Sequence, residues 1–489
     1  MEQYTVTFLP EQISVTVDSG TTILNAQIQA GLHPDAPCGG NGTCGKCRVE
    51  LDGREVLSCQ TVVDRDMTVK CTVSGNARIL TGGLDVQTVP DGENEFALAF
   101  DIGTTTVVCY LLDGKTGALL AQASTINPQA QFGADVISRI QEVLDTGTED
   151  LKNCIREALG KLTRQVCRKA GIAPEQVGTA AIVGNTAMHH LLLGIEPRPL
   201  VTPPYMPAER DAVELDADGI LPIGGKVRIL PNIAGFVGGD TVGCMLSTRF
   251  DQLDELTLMI DIGTNGEMVL GDKNRRIACS TAAGPAFEGA KISCGMRGAD
   301  GAVDHVTIVN GAPAAHVIGE TRGIGLCGSG LLDLDLVAVL LDLEIIDESG
   351  RLEDKVYTLE GTDVTLTQKD VREVQLAKAA IRAGIMLLAQ TLGVEIEDIR
   401  RVCLAGAFGN YLDPASACRI GMIPPVLLDR IQPIGNAAGE GAKLAALNRE
   451  EFEYAKKLAA NTEFLELASM PDFQDCYVDA LEFCEEDEA

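Results

Sequence analysis

The 489-residue sequence predicts a multidomain α/β chain with a small β-grasp-like unit at its N-terminus. Three observations lead there. Residues 1–75 read as strand, strand, helix, glycine-rich loop and further strands. From Phe96 to about residue 445, apolar strands alternate with helical stretches, the α/β pattern. A polar gap at Ser247–Glu255 divides that long stretch in two, and the string Asp-Ile-Gly-Thr occurs once on each side. A chain of this length suggests about three domains.

Within residues 4–17, YTVTF and ISVTV alternate as two half-buried strands around a short turn that contains Pro10. TTILNAQIQAG predicts a helix ending at Gly31. CRVELDGREVLSC reads as a hairpin, because Asp52-Gly53 is a favoured two-residue turn, and MTVKCTV closes the unit. Residues 76–95 are polar and glycine-rich, a short linker. The expected divisions are 1–75, the linker 76–95, a first lobe 96–250, a second lobe 251–447 and an acidic tail 448–489. That tail ends EFCEEDEA, with its last residues frayed.

The chain carries 39 basic and 70 acidic side chains, a formal net charge of −31. Such a surface repels phosphate backbones and anionic lipid, so neither nucleic acid nor a membrane surface is an expected partner. MEQYTVTFLPEQ has no basic or apolar signal region, and no run of about 18 apolar residues exists. The expected location is therefore the reducing cytoplasm, where clustered cysteines read as metal ligands rather than disulfides. Most of the 16 cysteines, such as Cys109, Cys244 and Cys403, lie singly in apolar patterns and read as small buried hydrophobes.

One stretch differs. PCGGNGTCGKC spaces Cys38, Cys44 and Cys47 as Cys-x5-Cys-x2-Cys, and Cys59 follows in VLSCQT. Four thiolates suffice for a [2Fe–2S] cluster. The glycines at 39, 40, 42 and 45 allow the loop to turn three sulfurs inward. Zinc is the main alternative, but structural zinc usually shows two paired knuckles and only one Cys-x2-Cys pair exists here. Cys71 rivals Cys59 as fourth ligand; Cys59 is preferred because it lies on the hairpin strand leaving the loop. The segment resembles the vertebrate-type and related [2Fe–2S] ferredoxins, which share the x5, x2 spacing. Their last cysteine usually lies further along.

LAFDIGTTTVVCYLLD at 98–113 and LMIDIGTNGEMVLGD at 258–272 share one frame: apolar strand, Asp-Ile-Gly-Thr, polar turn, second strand. A glycine at the turn lets the backbone approach an anion, and the adjoining hydroxyls and N–H groups can donate to phosphate oxygens. A strand-end carboxylate can hold Mg²⁺ directly or through water, and Asp101 and Asp261 are placed for it. The candidate phosphate contacts are Gly103, Thr104, Thr105 and Thr106 in the first copy and Gly263, Thr264, Asn265 and Gly266 in the second. Two ordinary hairpins are the alternative. A competing Gly-x-Gly-x-x-Gly at Gly323, Gly325 and Gly328 lacks the clean strand–turn–helix unit of a dinucleotide site.

The repeated motif resembles the two phosphate motifs of the actin, Hsp70, sugar kinase and acetate kinase (ASKHA) superfamily. VCLAGAFGNYLDP at 402–414 resembles its adenosine motif, with Gly406 and Gly409 against the purine. IVGNTAMHHLLLG and GNAAGEGAKLAAL resemble its two connecting segments. The resemblance implies a two-lobed ATPase-like region over 96 to about 445, binding ATP and Mg²⁺.

A [2Fe–2S] domain joined to such a region resembles the reductive activators of corrinoid proteins, over nearly the whole chain. That resemblance implies an enzyme that couples ATP hydrolysis to reduction of Co(II) to Co(I), the electron passing through the cluster. It implies a corrinoid protein of a methyltransferase system and a low-potential donor such as ferredoxin or flavodoxin as partners, with a homodimer among the expected assemblies. Glu267 would orient the attacking water; an exposed strand-end glutamate is the alternative. The alternative functions are an ATP-dependent electron donor to another low-potential enzyme, such as a dehydratase, and a non-catalytic redox sensor. The chain departs from longer relatives in its linker of about 20 residues. Unlike some others, it has no C-terminal [4Fe–4S] motif, since Cys476 and Cys484 cannot form one.

Overall fold

The computed structural model describes residues 3–9, 12–30, 32, 34, 47–71, 89–263, 265–284, 286, 291–296, 299–319, 321–327, 332–406 and 412–483. The N-terminal unit is a five-stranded sheet of β1 (Gln3–Leu9), β2 (Ile13–Asp18), β3 (Arg48–Leu51), β4 (Arg54–Leu57) and β5 (Met67–Cys71). Their order is β2-β1-β5-β3-β4, with β1 and β5 parallel, a β-grasp arrangement. Asp52 and Gly53 both take positive φ, 53° and 74°, so the hairpin turn expected from the sequence forms. Helix α1 (Ile23–Gln29) starts where the Thr22 hydroxyl accepts from Asn25 N–H. It lays Ile23 and Ala26 on Val6, Phe8 and Val69 of the sheet.

The two halves of the remaining chain repeat one plan. In the first half, β6 (Phe96–Ile102), β7 (Thr106–Asp113) and β8 (Leu119–Ile126) form an antiparallel meander. β9 (Val177–Gly184) and β11 (Lys226–Ile229) extend it in parallel beside β6, and β10 (Val213–Asp216) closes the edge. In the second half, β12 (Thr257–Ile262), β13 (Gly266–Gly271) and β14 (Arg276–Thr281) make the same meander. β21 (Arg401–Ala405) and β22 (Ile431–Gly435) then extend it in parallel beside β12. Each Asp-Ile-Gly-Thr therefore ends the first strand of its meander. Between β14 and β21 come a small sheet of β15 (Gly295–Met296), β16 (Ala302–Val309), β17 (Ala312–Val317) and β18 (Gly325–Cys327), and a pair β19 (Val356–Thr358) and β20 (Thr365–Thr367).

Strand alternation decides which core each side chain joins. Along β6, Leu98, Phe100 and Ile102 face a core shared with α2 (Val136–Thr146), α3 (Glu149–Ala170) and α4 (Thr186–Leu193). Ala97 and Ala99 face the other way. There they meet α5 (Gly239–Thr248), α9 (Ala437–Leu447), α10 (Arg449–Ala460) and Met259 of β12. On β12, Leu258, Ile260 and Ile262 face a third core with α6 (Leu332–Asp342) and α7 (Gln368–Leu392). The two lobes thus share a core, while no apolar cluster joins the N-terminal unit to either lobe among the described residues. Helices α5 and α9 cross so closely that a Cβ on Gly441 would collide with the Gly243 backbone.

Within the stretch 448–489, expected as an acidic tail, the described residues 448–483 are folded. Helix α10 buries Phe452, Ala455, Leu458 and Ala459, one stripe at helical spacing. β23 (Glu463–Phe464) then adds to β14, and α11 (Phe473–Asp479), which follows the short α8 (Pro414–Arg419) and α9–α10, packs on α7. Phe483 is buried beside the Lys378 ammonium. Among the described residues, no helix is long and apolar enough to cross a membrane.

Candidate functional site

The two Asp-Ile-Gly-Thr turns face each other across a cavity of about 140 Å³ between the lobes. Asp101, Gly103, Thr104, Thr105 and Thr106 line it from the first lobe, and Asp261, Gly263, Asn265 and Glu267 from the second. Gly103 N–H donates to Thr106 C=O at 2.8 Å and closes the first turn. Two further bonds hold the turn: Arg139 Nη2 donates to Thr104 C=O at 2.7 Å, and Asn185 Nδ2, which also lines the cavity, to Thr104 Oγ1 at 3.1 Å. Thr264, Gly409, Cys38 and Cys44 lie outside the described residues, as does Gly328.

Two expected contacts are placed differently. Gly266 does not line the cavity; it pairs with Thr281, and a Cβ there would press on Thr281 Oγ1 and Ile381. It is a glycine for packing. Gly406 does line the cavity, but at its acidic end: with φ at 86°, it leaves room for Asp261 Oδ1, into which a Cβ would run. The competing glycine motif dissolves too, since Gly325 is buried in β18 against Cys294 and Met296.

Asp240 was not among the sequence candidates. It stands in the first turn of α5, lines the same cavity, and accepts from Thr241 N–H at 2.7 Å. Its signal was available: Gly-Gly-Asp before an apolar helix. Asn436 is also new. As N-cap of α9, it accepts from Gly439 N–H, and its Nδ2 donates to Asp101 Oδ2 at 2.8 Å and to the Tyr110 hydroxyl at 3.2 Å. Asp261 and Glu267 are direct cross-strand partners, so their carboxylates share a face of the sheet. Glu267 is not the exposed strand-end residue of the alternative reading: it is half-buried in the cleft and accepts from Ser280 Oγ at 3.2 Å.

Four carboxylates thus converge, and among the described lining residues there is no lysine or arginine. Burial, and then repulsion from Asp240, push Asp101 up to about 7 despite the Asn436 bond. Burial and the charges of Asp240 and Asp101 push Asp261 up to about 7. Asp240 rises to about 6, chiefly by burial. Glu267 lies well above the usual range through burial, Asp240 and Asp261. Native protein therefore binds more protons than unfolded chain between the ordinary carboxylate value of 3.8 and about 7. The stability of the neutral carboxyls is complete below that window and is lost as pH rises through it. Thermal melts of the nucleotide-free protein should show Tm falling from about pH 5 to about pH 8, with a shallower fall in Asp261→Asn. An unchanged slope in that variant would remove Asp261 from this explanation.

Such a site suits a divalent cation shared with phosphates. Among the described residues, no three His, Cys, Asp or Glu side chains could hold a metal ion by themselves. Mg²⁺ takes one or two carboxylates and completes its shell with water and phosphate oxygens, so the donor set fits.

In the N-terminal unit, Cys47 and Cys59 are buried in one small cluster with Leu24, Ile28 and Leu57. Ser58 N–H donates to Cys47 C=O at 2.8 Å, which brings the two ends of the hairpin together. Gln60 Nε2 donates to Cys59 Sγ at 3.7 Å. Cys71 packs against the other core and accepts from Gln27 Nε2 at 3.2 Å. Two buried thiols at one hairpin end fit an iron–sulfur cluster, and Cys71 stands apart from them.

Residues 6–77 match the 2Fe-2S iron-sulfur cluster binding domain, residues 96–253 the RACo middle region, and residues 255–489 the C-terminal domain of RACo, the ASKHA domain. The chain is 38% identical over 477 residues to the corrinoid activation enzyme RamQ of Eubacterium limosum, covering 88% of this chain and 80% of that protein. It is 28% identical over 428 residues to the [Co(II) methylated amine-specific corrinoid protein] reductase of Methanosarcina barkeri, covering 79% and 77%. A solved reductive activator for corrinoid, iron-sulfur protein superposes with a TM-score of 0.71 at 30% identity, over 98% of both chains. The chain belongs to the family of reductive activators of corrinoid proteins, with a [2Fe–2S] domain at its N-terminus and an ASKHA domain at its C-terminus.

Proposed function

We propose that this protein is an ATP-hydrolysing activase that returns a corrinoid protein from Co(II) to Co(I), with Cys38, Cys44, Cys47 and Cys59 holding the cluster. One observation carries the reading: a buried thiol pair and an acidic two-lobed cleft occur in one chain. The names of the relatives supply the substrate class. When bound, a [2Fe–2S] cluster supplies one electron; plant-type clusters lie near about −400 mV, a potential marginal for this cobalt couple. Coupling to ATP hydrolysis makes the transfer favourable. A low-potential donor such as ferredoxin or flavodoxin would return the protein to its reduced state.

Asp101, Thr104 and Thr105 would meet phosphates and Mg²⁺ from the first lobe, with Asn436 orienting Asp101. Asp261, Thr264 and Asn265 would do so from the second, and Asp240 adds a carboxylate between them. Glu267 is held protonated chiefly by burial, then by the charges of Asp240 and Asp261. A cation beside those two carboxylates would remove their repulsion and leave Glu267 better able to orient the attacking water. The shared apolar core under the cleft makes α5 and α9 the joint along which the lobes would close.

The expected result is ATP hydrolysis stimulated by an oxidised corrinoid protein. Glu267→Gln should lose about 10²- to 10⁴-fold of that turnover while still binding nucleotide. Hydrolysis indifferent to every corrinoid partner would contradict the proposed substrate. Unchanged turnover in Glu267→Gln would remove that residue from the chemistry.

A further inference from the structure

Asn127 is fully buried just after β8 and does not itself line the acidic cleft, yet it grips the Gly103–Thr106 turn twice. Its Nδ2 donates to Gly103 C=O at 2.8 Å, and its own N–H donates to Thr105 C=O at 2.8 Å. With Arg139 on Thr104 C=O, three successive carbonyls of the turn are tied by residues that do not line the cavity. Asn127 Oδ1 meanwhile accepts from Gln129 N–H at 3.0 Å and caps the 3-10 turn Pro128–Gln131.

That 3-10 turn has a second face. Asn127, Pro128, Ala130 and Gln131 line a crevice of about 590 Å³ between the first lobe and the N-terminal unit. Its opposite wall includes Leu24 and Ile28 of α1. These same two side chains pack on Cys47 and Cys59. Among the described residues, no apolar cluster crosses the crevice. One buried asparagine therefore stands between the turn that would meet phosphate and the wall that faces the cysteine pocket.

We propose that Asn127 is a positioning residue for coupled electron transfer. It passes nucleotide occupancy from the Gly103–Thr106 turn to the wall at 127–131, and so sets how α1 sits beside Cys47 and Cys59. The proposal rests on the nucleotide reading of the cleft.

The test uses the full-length, cluster-loaded protein and a non-hydrolysable ATP analogue with Mg²⁺. Calorimetry measures binding, and hydrogen–deuterium exchange follows residues 23–30 and 127–131. In the wild type, the analogue should change exchange in both segments. Asn127→Ser keeps an oxygen to cap the 3-10 turn but cannot reach Gly103. Its affinity should change by no more than about fivefold, the equivalent of one neutral hydrogen bond. Its nucleotide-dependent change at 23–30 should shrink by about 5-fold or more. Asn127→Thr, which keeps the capping oxygen and likewise cannot reach Gly103, should behave alike and serves if the serine variant does not fold. The proposal is overturned by an undiminished response at 23–30 in a variant that binds the analogue. It is equally overturned by a wild type that binds yet shows no response there, or by variants that lose binding altogether. A wild type that binds no nucleotide fails at the calorimetry step, and the function of the cleft fails with it.

Discussion

Asp261→Asn should lower ATP turnover by about 10²- to 10³-fold, the loss typical of removing one preorganised electrostatic contact to a reacting group. The same substitution should raise the melting temperature of the nucleotide-free protein near pH 8. Both effects have one cause. Asp261 faces Glu267 across β12 and β13, and burial and the charges of Asp240 and Asp101 raise it to about 7. Without a cation the ionised group is a source of repulsion, so neutral asparagine relieves the cleft. With phosphates and a cation the charge is what the site uses, so asparagine removes the chemistry. Asparagine is isosteric, and the space that Gly406 leaves for Oδ1 accepts it. A variant both more stable and inactive is therefore the expected signature. Lost activity accompanied by lost stability would instead assign Asp261 a role in folding.

Cys59→Ser should abolish the visible absorption of the cluster and all electron delivery, while Cys71→Ser should retain both. Cys59 is buried with Cys47, Leu24 and Ile28 at the hairpin end, whereas Cys71 lies on β5 against the other core. An alcohol is a poor substitute for a thiolate on iron, so the loss is expected to be nearly complete. Absorption and electron paramagnetic resonance of the purified, reduced proteins check it. Loss of the cluster in Cys71→Ser, with retention in Cys59→Ser, would reverse the assignment of the fourth ligand.

The parts legible in the sequence were those fixed by short-range chemistry. Asp52-Gly53 specified its turn, and the alternation of YTVTF and ISVTV marked the first two strands. Each Asp-Ile-Gly-Thr marked the end of a meander's first strand because carboxylate, glycine and hydroxyl are adjacent in the chain. Tertiary placement was harder to read. Asp240 and Asn436 reach the cleft only when α5 and α9 cross, nearly 200 positions apart in sequence. Gly266 belongs to the motif string but is buried under Ile381, which no local pattern reveals. The C-terminal segment misled through composition: its many glutamates suggested a tail, while Phe452, Ala455, Leu458 and Ala459 carried a helical stripe that the charge obscured.

In the proposed cycle, ATP hydrolysis in the acidic cleft drives an electron through the cysteine-held cluster to cobalt. The most direct measurement follows the visible spectrum of an oxidised corrinoid protein mixed with this protein, a low-potential reductant and ATP. Co(I) should accumulate only when all components are present, and not with the non-hydrolysable analogue, with Asp261→Asn or with Cys59→Ser. Co(I) forming equally without ATP, or failing to form with each of several corrinoid proteins, would contradict that cycle.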